Sequence, residues 1–159
     1  MNNHTGSDTR SVQTDWIDYN GHMNLAYYVL AFDQDVDLFL DRELGVGPSL
    51  ASAHNQGPFV LQNHVHYLDE LLLTDRFYCR FLLLGADSKR LHLAGVMHRE
   101  SDDAPVCVME QVLINVDHET RRSKPYPDDI QIRIAALVQS HESLERPPQI
   151  GRPIGLTRR

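Results

Sequence analysis

The sequence predicts an α+β fold in which an antiparallel β-sheet wraps around one long central α-helix. Three observations carry this reading. Between Leu25 and Leu40 the apolar residues recur at three- and four-residue steps. From Pro58 onward the period drops to two and returns in four successive segments. The last three segments are joined by short polar turns, and a parallel crossover would need a dozen or more residues, so these neighbours run antiparallel. A helix with so wide an apolar stripe can bury it only against the face of the sheet.

Taken in order, residues 1–10 read as a flexible arm and Ser11 to Trp16 as a short strand. The segment Asp18-Tyr19-Asn20-Gly21-His22-Met23-Asn24 is dense in turn formers. Leu25, Tyr28, Val29, Phe32, Val36, Phe39 and Leu40 then form a helical stripe, with Asp33, Asp35, Asp37 and Asp41 on the other side. Asn24 suits the N-cap and Gly45 the stop. After Pro58, strict alternation would put Phe59, Leu61, Asn63, Val65 and Tyr67 on one face and Val60, Gln62, His64 and His66 on the other. Further strands span Arg76 to Gly85, Arg90 to His98 and Val106 to Val116. A second helix covers about Pro127 to His141, with Ile130, Ile134, Leu137 and Val138 as its stripe. The domain therefore spans 11–144, and the Pro-, Gly- and Arg-rich segment 145–159 reads as a flexible tail.

Length and composition narrow the function. A chain of 159 residues is close to one domain. Its net charge of −7 argues against a nucleic-acid partner, which would call for a basic stripe. Cys79 and Cys107 are too few for a disulfide scaffold and suit a reduced cytoplasm. The polar start lacks the apolar stretch of a signal peptide, and no run approaches the roughly 20 apolar residues of a membrane span. Secretion and membrane insertion are not expected.

The loop at 18–24 holds the most chemistry. It sets a carboxylate (Asp18), an imidazole (His22) and two carboxamides (Asn20, Asn24) directly before a helix start. A helix start presents unpaired N–H groups and a positive partial charge, which can stabilise an oxyanion beside a carboxylate base or nucleophile. The plainer reading is that Asp18 and Asn24 are only turn and capping residues. Glu110 is a second acid: it shares a face with Val108, Val112 and Ile114, where burial would raise its pKa and suit it to proton transfer. A structural glutamate is the alternative. His64 and His66 alternate onto one face, but no further ligand completes a metal set, and none is expected.

Val12 to Tyr28, VQTDWIDYNGHMNLAYY, resembles the 4-hydroxybenzoyl-CoA thioesterase family. Asp18, Gly21, His22, Met23 and Asn24 match its Asp-x-x-Gly-His-Val/Met-Asn pattern, and His64, Tyr67 and Leu68 its His-x-x-Tyr-Leu pattern. Val116-Asp117-His118-Glu119-Thr120-Arg121 matches a strand end, and the likeness spans about 10–138. Relatives carry Glu where this chain has Gln62. Trp16 to Asn24, with Asp87-x-Lys89-Arg90-Leu91-His92, is further similar to the betainyl-CoA thioesterases of carnitine breakdown.

The resemblance implies a hotdog fold, a homodimer or homotetramer, and hydrolysis of an acyl-CoA. No cofactor is implied; coenzyme A enters as part of the substrate. Asp18 would be the catalytic carboxylate and the Leu25 backbone N–H the oxyanion donor, with His22 assisting or bonding structurally. Asn20, Gly21, Asn24, Trp16, Tyr19 and His64 would surround the acyl group, the two aromatics facing a cationic head. Lys89 and Arg90, more weakly Arg99, would meet the phosphates of coenzyme A. Two other readings stay open on the fold: a hydratase or dehydratase of acyl thioesters, and an acyl-CoA-binding module without turnover.

Overall fold

The computed structural model describes residues 6–156. Its elements are β1 (Arg10–Ser11), a 3-10 turn (Thr14–Trp16), α1 (Leu25–Leu44), α2 (Pro48–His54), β2 (Gln56–Tyr67), β3 (Arg76–Ala86), β4 (Arg90–Arg99), β5 (Pro105–Asp117) and α3 (Asp128–His141). The strands form one antiparallel sheet in the order β1-β3-β4-β5-β2. This is the expected sheet around a central helix.

The helix α1 has the predicted ends. The Asn24 side chain accepts from the Ala26 N–H at 3.1 Å. Gly45 takes φ 69°, a left-handed turn that glycine enters without strain. There its N–H reaches the Asp41 carbonyl and that of Val46 the Leu40 carbonyl, a double closure of the last turn. Phe32, Val36, Phe39 and Leu40 are buried against the concave face of the sheet, each worth roughly 1.5–3 kcal/mol on leaving water. Phe39 stacks on Phe81 at 5.2 Å, and Phe32 meets the same ring edge-on.

Gly95, in β4 beneath this cluster, lets helix and sheet approach. A Cβ there would lie 2.9 Å from Phe32 and 3.0 Å from Phe81. Gly95→Ala should therefore destabilise the fold by about 1–3 kcal/mol through overpacking. The expected sign is a lower urea midpoint at unchanged slope.

Four expectations need correction. The strand at 11–16 is confined to Arg10–Ser11, because Gln13, Thr14 and Asp15 offer nothing apolar to the sheet and the Trp16 N–H closes onto the Gln13 carbonyl. The helix α2 was not read from the sequence, since seven residues with Leu50 alone buried leave no visible period. In β2 a bulge at Leu61 shifts the register between Val60 and Gln62. Phe59 thus shares the outer face with Gln62, His64 and His66, while Val60 joins Asn63, Val65 and Tyr67. Asp35 is not on the solvent side: it is 3% exposed and paired with Arg10 at 3.0 Å.

Of the expected arm, residues 1–5 lie outside the described residues, while Gly6 and Ser7 run beside Cys79 and Arg80 of β3. Of the expected tail, 145–156 lie on the outer face of the sheet, and 157–159 are outside the described residues. Among the described residues, no helix is long and apolar enough to cross a membrane.

Candidate active site

The loop 18–24 is a small closed structure held on three sides. Ile17 bridges Met23, the Asn24 N–H reaches the Trp16 carbonyl, and the Met23 N–H reaches that of Leu71 in the β2–β3 connection. Leu71 in turn donates its N–H to the Tyr28 hydroxyl at 2.9 Å. Arg99 fastens the same connection through Asp69 at 2.6 Å and the Glu70 carbonyl at 3.0 Å, with Asp102 at 2.8 Å behind it. That role replaces a phosphate contact for Arg99.

Within this frame the Asp18 carboxylate is aimed at the helix start. Oδ1 accepts from the Asn20 N–H at 2.8 Å, and Oδ2 from the Asn24 carboxamide at 3.1 Å. The Asn20 N–H most of all, then Asn24 and the nearby His22, outweigh a modest desolvation and hold the Asp18 pKa below its ordinary value. The group is thus an anion through the neutral range, suited to act as base or nucleophile and unsuited to act as acid. One residue beyond Asn24, the Leu25 N–H has no hydrogen bond among the described residues. Carboxylate and open donor are what the sequence placed side by side.

A cavity of about 260 Å³ opens at the helix start, lined by His22, Leu25, Tyr28, Tyr67, Asp69 and Glu70; Asp18 is not in its lining and reaches the helix start through Asn24. Tyr67 donates to the Leu25 carbonyl at 3.1 Å. His22 Nδ1 lies 3.0 Å from the Met23 carbonyl, so Nδ1 carries the proton and a neutral ring keeps Nε2 as acceptor. Sequence reasoning missed Tyr67 and Tyr28 as site-forming residues, although Tyr67 was already part of the matched pattern. If Asp18 must be ionised, kcat/KM should stay level through the neutral and mildly acidic range and fall only below the ordinary carboxylate range. A profile recorded where circular dichroism is constant tests this; an acid limb within the neutral range would remove Asp18 as the base.

Other predicted residues lie elsewhere. Trp16 stacks on Tyr27 at 5.5 Å beside the loop, whereas Tyr19 is 95% exposed at the tip of the turn formed by Asn20 and Gly21. His64 pairs in register with Glu110 on the outer face, across the sheet from the loop. Lys89 and Arg90 sit at the opposite end of the strands. Tyr67 pairs with Cys107 and Arg90 with Ile114, seven residues or roughly 23 Å apart along β5. Arg90 is held by Asp87 at 2.6 Å, and Lys89 Nζ lies 3.4 Å from Ser123. The strand-end motif is a turn: the Asp117 carboxylate accepts from the Thr120 and Glu119 N–H groups and pairs with Lys124, and its pKa is pulled down to about 2.

Glu110 fits the structural alternative and not the proton-transfer one. Burial does push its pKa up, but the Gly151 N–H and His92, each at 2.7 Å, together with the charge of His64, win and hold it below the ordinary value. It is not a poised acid.

A hotdog sheet with a carboxylate and an open N–H at the start of the enclosed helix is an arrangement that thioester hydrolysis can use. The comparisons agree. The chain matches the thioesterase-like superfamily over residues 12–134 and belongs to that family. It is 32% identical over 145 residues to a betainyl-CoA thioesterase of Pseudomonas aeruginosa, covering 91% of each chain. It is 28% identical to an L-carnitine dehydrogenase/betainyl-CoA thioesterase of Rhizobium meliloti, covering 95% of this chain and 30% of that longer one. Among solved structures, a Staphylococcus aureus protein in complex with CoA superposes with a TM-score of 0.88 at 28% identity, covering 97% of this chain and 96% of that one. A candidate thioesterase from Pseudomonas putida gives 0.82 at 31% identity, with 98% of each covered.

Proposed function

We propose that the chain is a cytoplasmic acyl-CoA thioesterase acting on a short or polar acyl group, with betainyl-CoA as the leading substrate. The observation that carries this is the Asp18 carboxylate, kept ionised and anchored to the N-cap, next to the unpaired Leu25 N–H. Asp18 attacks the thioester carbonyl or takes a proton from the water that does. The Leu25 N–H and the helix dipole receive the charge that builds on the carbonyl oxygen. The carbon–sulfur bond breaks, the thiolate of coenzyme A leaves, and water completes the free acid.

Self-association fits the edge of the sheet. β2 is a twelve-residue edge strand with Phe59, Val60 and Leu61 exposed, a surface that a second copy would cover. A two-fold, antiparallel contact through β2 would bring the Lys89–Arg90 end of one sheet toward the Asp18 loop of the other.

For the acyl group, the Trp16–Tyr27 stack supplies an aromatic surface beside the loop, and the net charge of −7 favours a cation. The test is thiol release from betainyl-CoA and from 3,3-dimethylbutyryl-CoA, which has the same shape without the charge. The expected preference for the cation is about 2- to 30-fold in kcat/KM, reduced in Trp16→Leu. Equal rates on both would remove the betainyl assignment, and no release from any acyl-CoA would remove the thioesterase one.

A further inference from the structure

The C-terminal segment leaves α3 and forms a strap across the outer face of the sheet. Glu145 to Gln149 lie over Leu82, Val96 and Val108, and the Gly151 N–H is fixed to Glu110. Arg152 to Gly155 then reach β2, leaving a cavity of about 870 Å³ between strap and strand. His64 and His66 stand on its sheet side with ring centroids 4.4 Å apart, and Arg152 on the strap side.

Polar groups of this cavity are left unspent. His66 Nε2 is buried without a hydrogen-bond partner among the described residues, which leaves a polar atom in want of one. The Arg152 guanidinium makes no ion pair among the described residues. Glu110, the carboxylate whose charge reaches both histidines, has its oxygens taken by His92 and the Gly151 N–H. Burial, followed by the charges of His64 and Arg152, holds the His66 pKa below its ordinary value, so the ring is neutral and offers Nε2 as a hydrogen-bonding group rather than as a charge.

The geometry points to a phosphate-binding site in this cavity, with the Arg152 fork and the rings of His64 and His66 as donors to a nucleotide-sized phosphate ester. Guanidinium matches phosphate oxygens two at a time. The cavity is far wider than one inorganic anion, and Pro153 and Ile154 offer an apolar wall to the rest of the ligand. Tyr67 and Leu68 line both this cavity and the helix-start pocket. In this proposal a single substrate passes around that end of β2, with its thioester at Leu25 and its adenosine phosphates under the strap. In that form the inference rests on the thioesterase reading. A separate phosphate ester bound there would not.

Titration calorimetry with adenosine 3′,5′-bisphosphate tests the site without turnover. Wild type should bind the bisphosphate and not adenosine, and Arg152→Met and His66→Leu should each weaken binding about tenfold, as for a lost charge-assisted contact. Competition of the bisphosphate against acyl-CoA, with loss in Arg152→Met of the preference for acyl-CoA over acyl-pantetheine, identifies the ligand as the coenzyme. Binding without competition identifies an independent phosphate ester. Absence of binding, or binding indifferent to both variants, overturns the site even if the chain hydrolyses thioesters. Bisphosphate binding through Arg152 in a chain that releases no thiol would keep the site and remove the thioesterase reading.

Discussion

Replacing Asp18 by Asn should lower kcat about a hundred- to ten-thousandfold, the range set by loss of a positioned base, and more if the carboxylate is the nucleophile. The amide keeps the size of the side chain and can still accept the Asn20 N–H that Oδ1 accepts at 2.8 Å. It cannot accept a proton or form an acyl bond under these conditions. Because Oδ2 also takes a hydrogen bond from the Asn24 carboxamide, and Asn24 Oδ1 caps the Ala26 N–H, a thermal melt must show that the helix start survives. With the fold intact, the loss should fall on kcat, since the interaction removed belongs to the transition state. Single turnover in ¹⁸O-water detects the nucleophilic role: label in the Asp18 carboxylate marks an anhydride intermediate opened at the Asp18 carbonyl. Activity retained in Asp18→Asn would transfer the chemistry to His22, which lines the helix-start pocket.

This site was legible because it is local. Asp18, Asn24 and Leu25 lie within eight positions, so turn chemistry and an N-cap pattern bring them together with no knowledge of the sheet. The strands β3, β4 and β5 were equally readable, each ending within one residue of its expected bounds, because hydrophobic alternation is a local signal. What failed is non-local. A single bulge at Leu61 exchanges the faces of Phe59 and Val60, and nothing in the alternation announces it. Equally non-local is the placement of Lys89 and Arg90, where Asp87 holds Arg90 and strand direction carries both to the far end of the sheet, which the sequence alone does not announce. Tyr67 joins the site only because β2 ends beside α1, forty-two residues from the Leu25 carbonyl that it bonds. Tyr28 reads as packing, and it is buried, but its hydroxyl also holds the loop at Leu71.

Arg10→Met should destabilise the protein by about 3–5 kcal/mol, the cost of leaving a buried charge without its partner. For a chain of this size that corresponds to a fall in Tm of roughly 6–20 °C. Asp35 faces inward from the middle of α1 and is 3% exposed; its Oδ1 meets Arg10 at 3.0 Å, and Oδ2 has no conventional partner among the described residues. Arg10 also bonds Gln34 and the Ala31 carbonyl and lies over the Phe77 ring at 5.3 Å, so one side chain ties β1 to both helix and sheet. Burial first, then the Asp35 carboxylate, pushes the Cys79 thiol well above its ordinary pKa, which keeps it protonated beside the pair. The effect should be asymmetric. Arg10 is 27% exposed and keeps its other acceptors, so Asp35→Leu should cost less than Arg10→Met. The double variant should also cost less than Arg10→Met alone, because removing both charges removes the unpaired one. A loss below about 1 kcal/mol in Arg10→Met would place the pair with screened surface bridges instead. The residues that follow β1 lead directly into the Asp18 loop, so loss of kcat that tracks loss of stability across these variants would make Arg10 the anchor of the catalytic loop as well as of the fold.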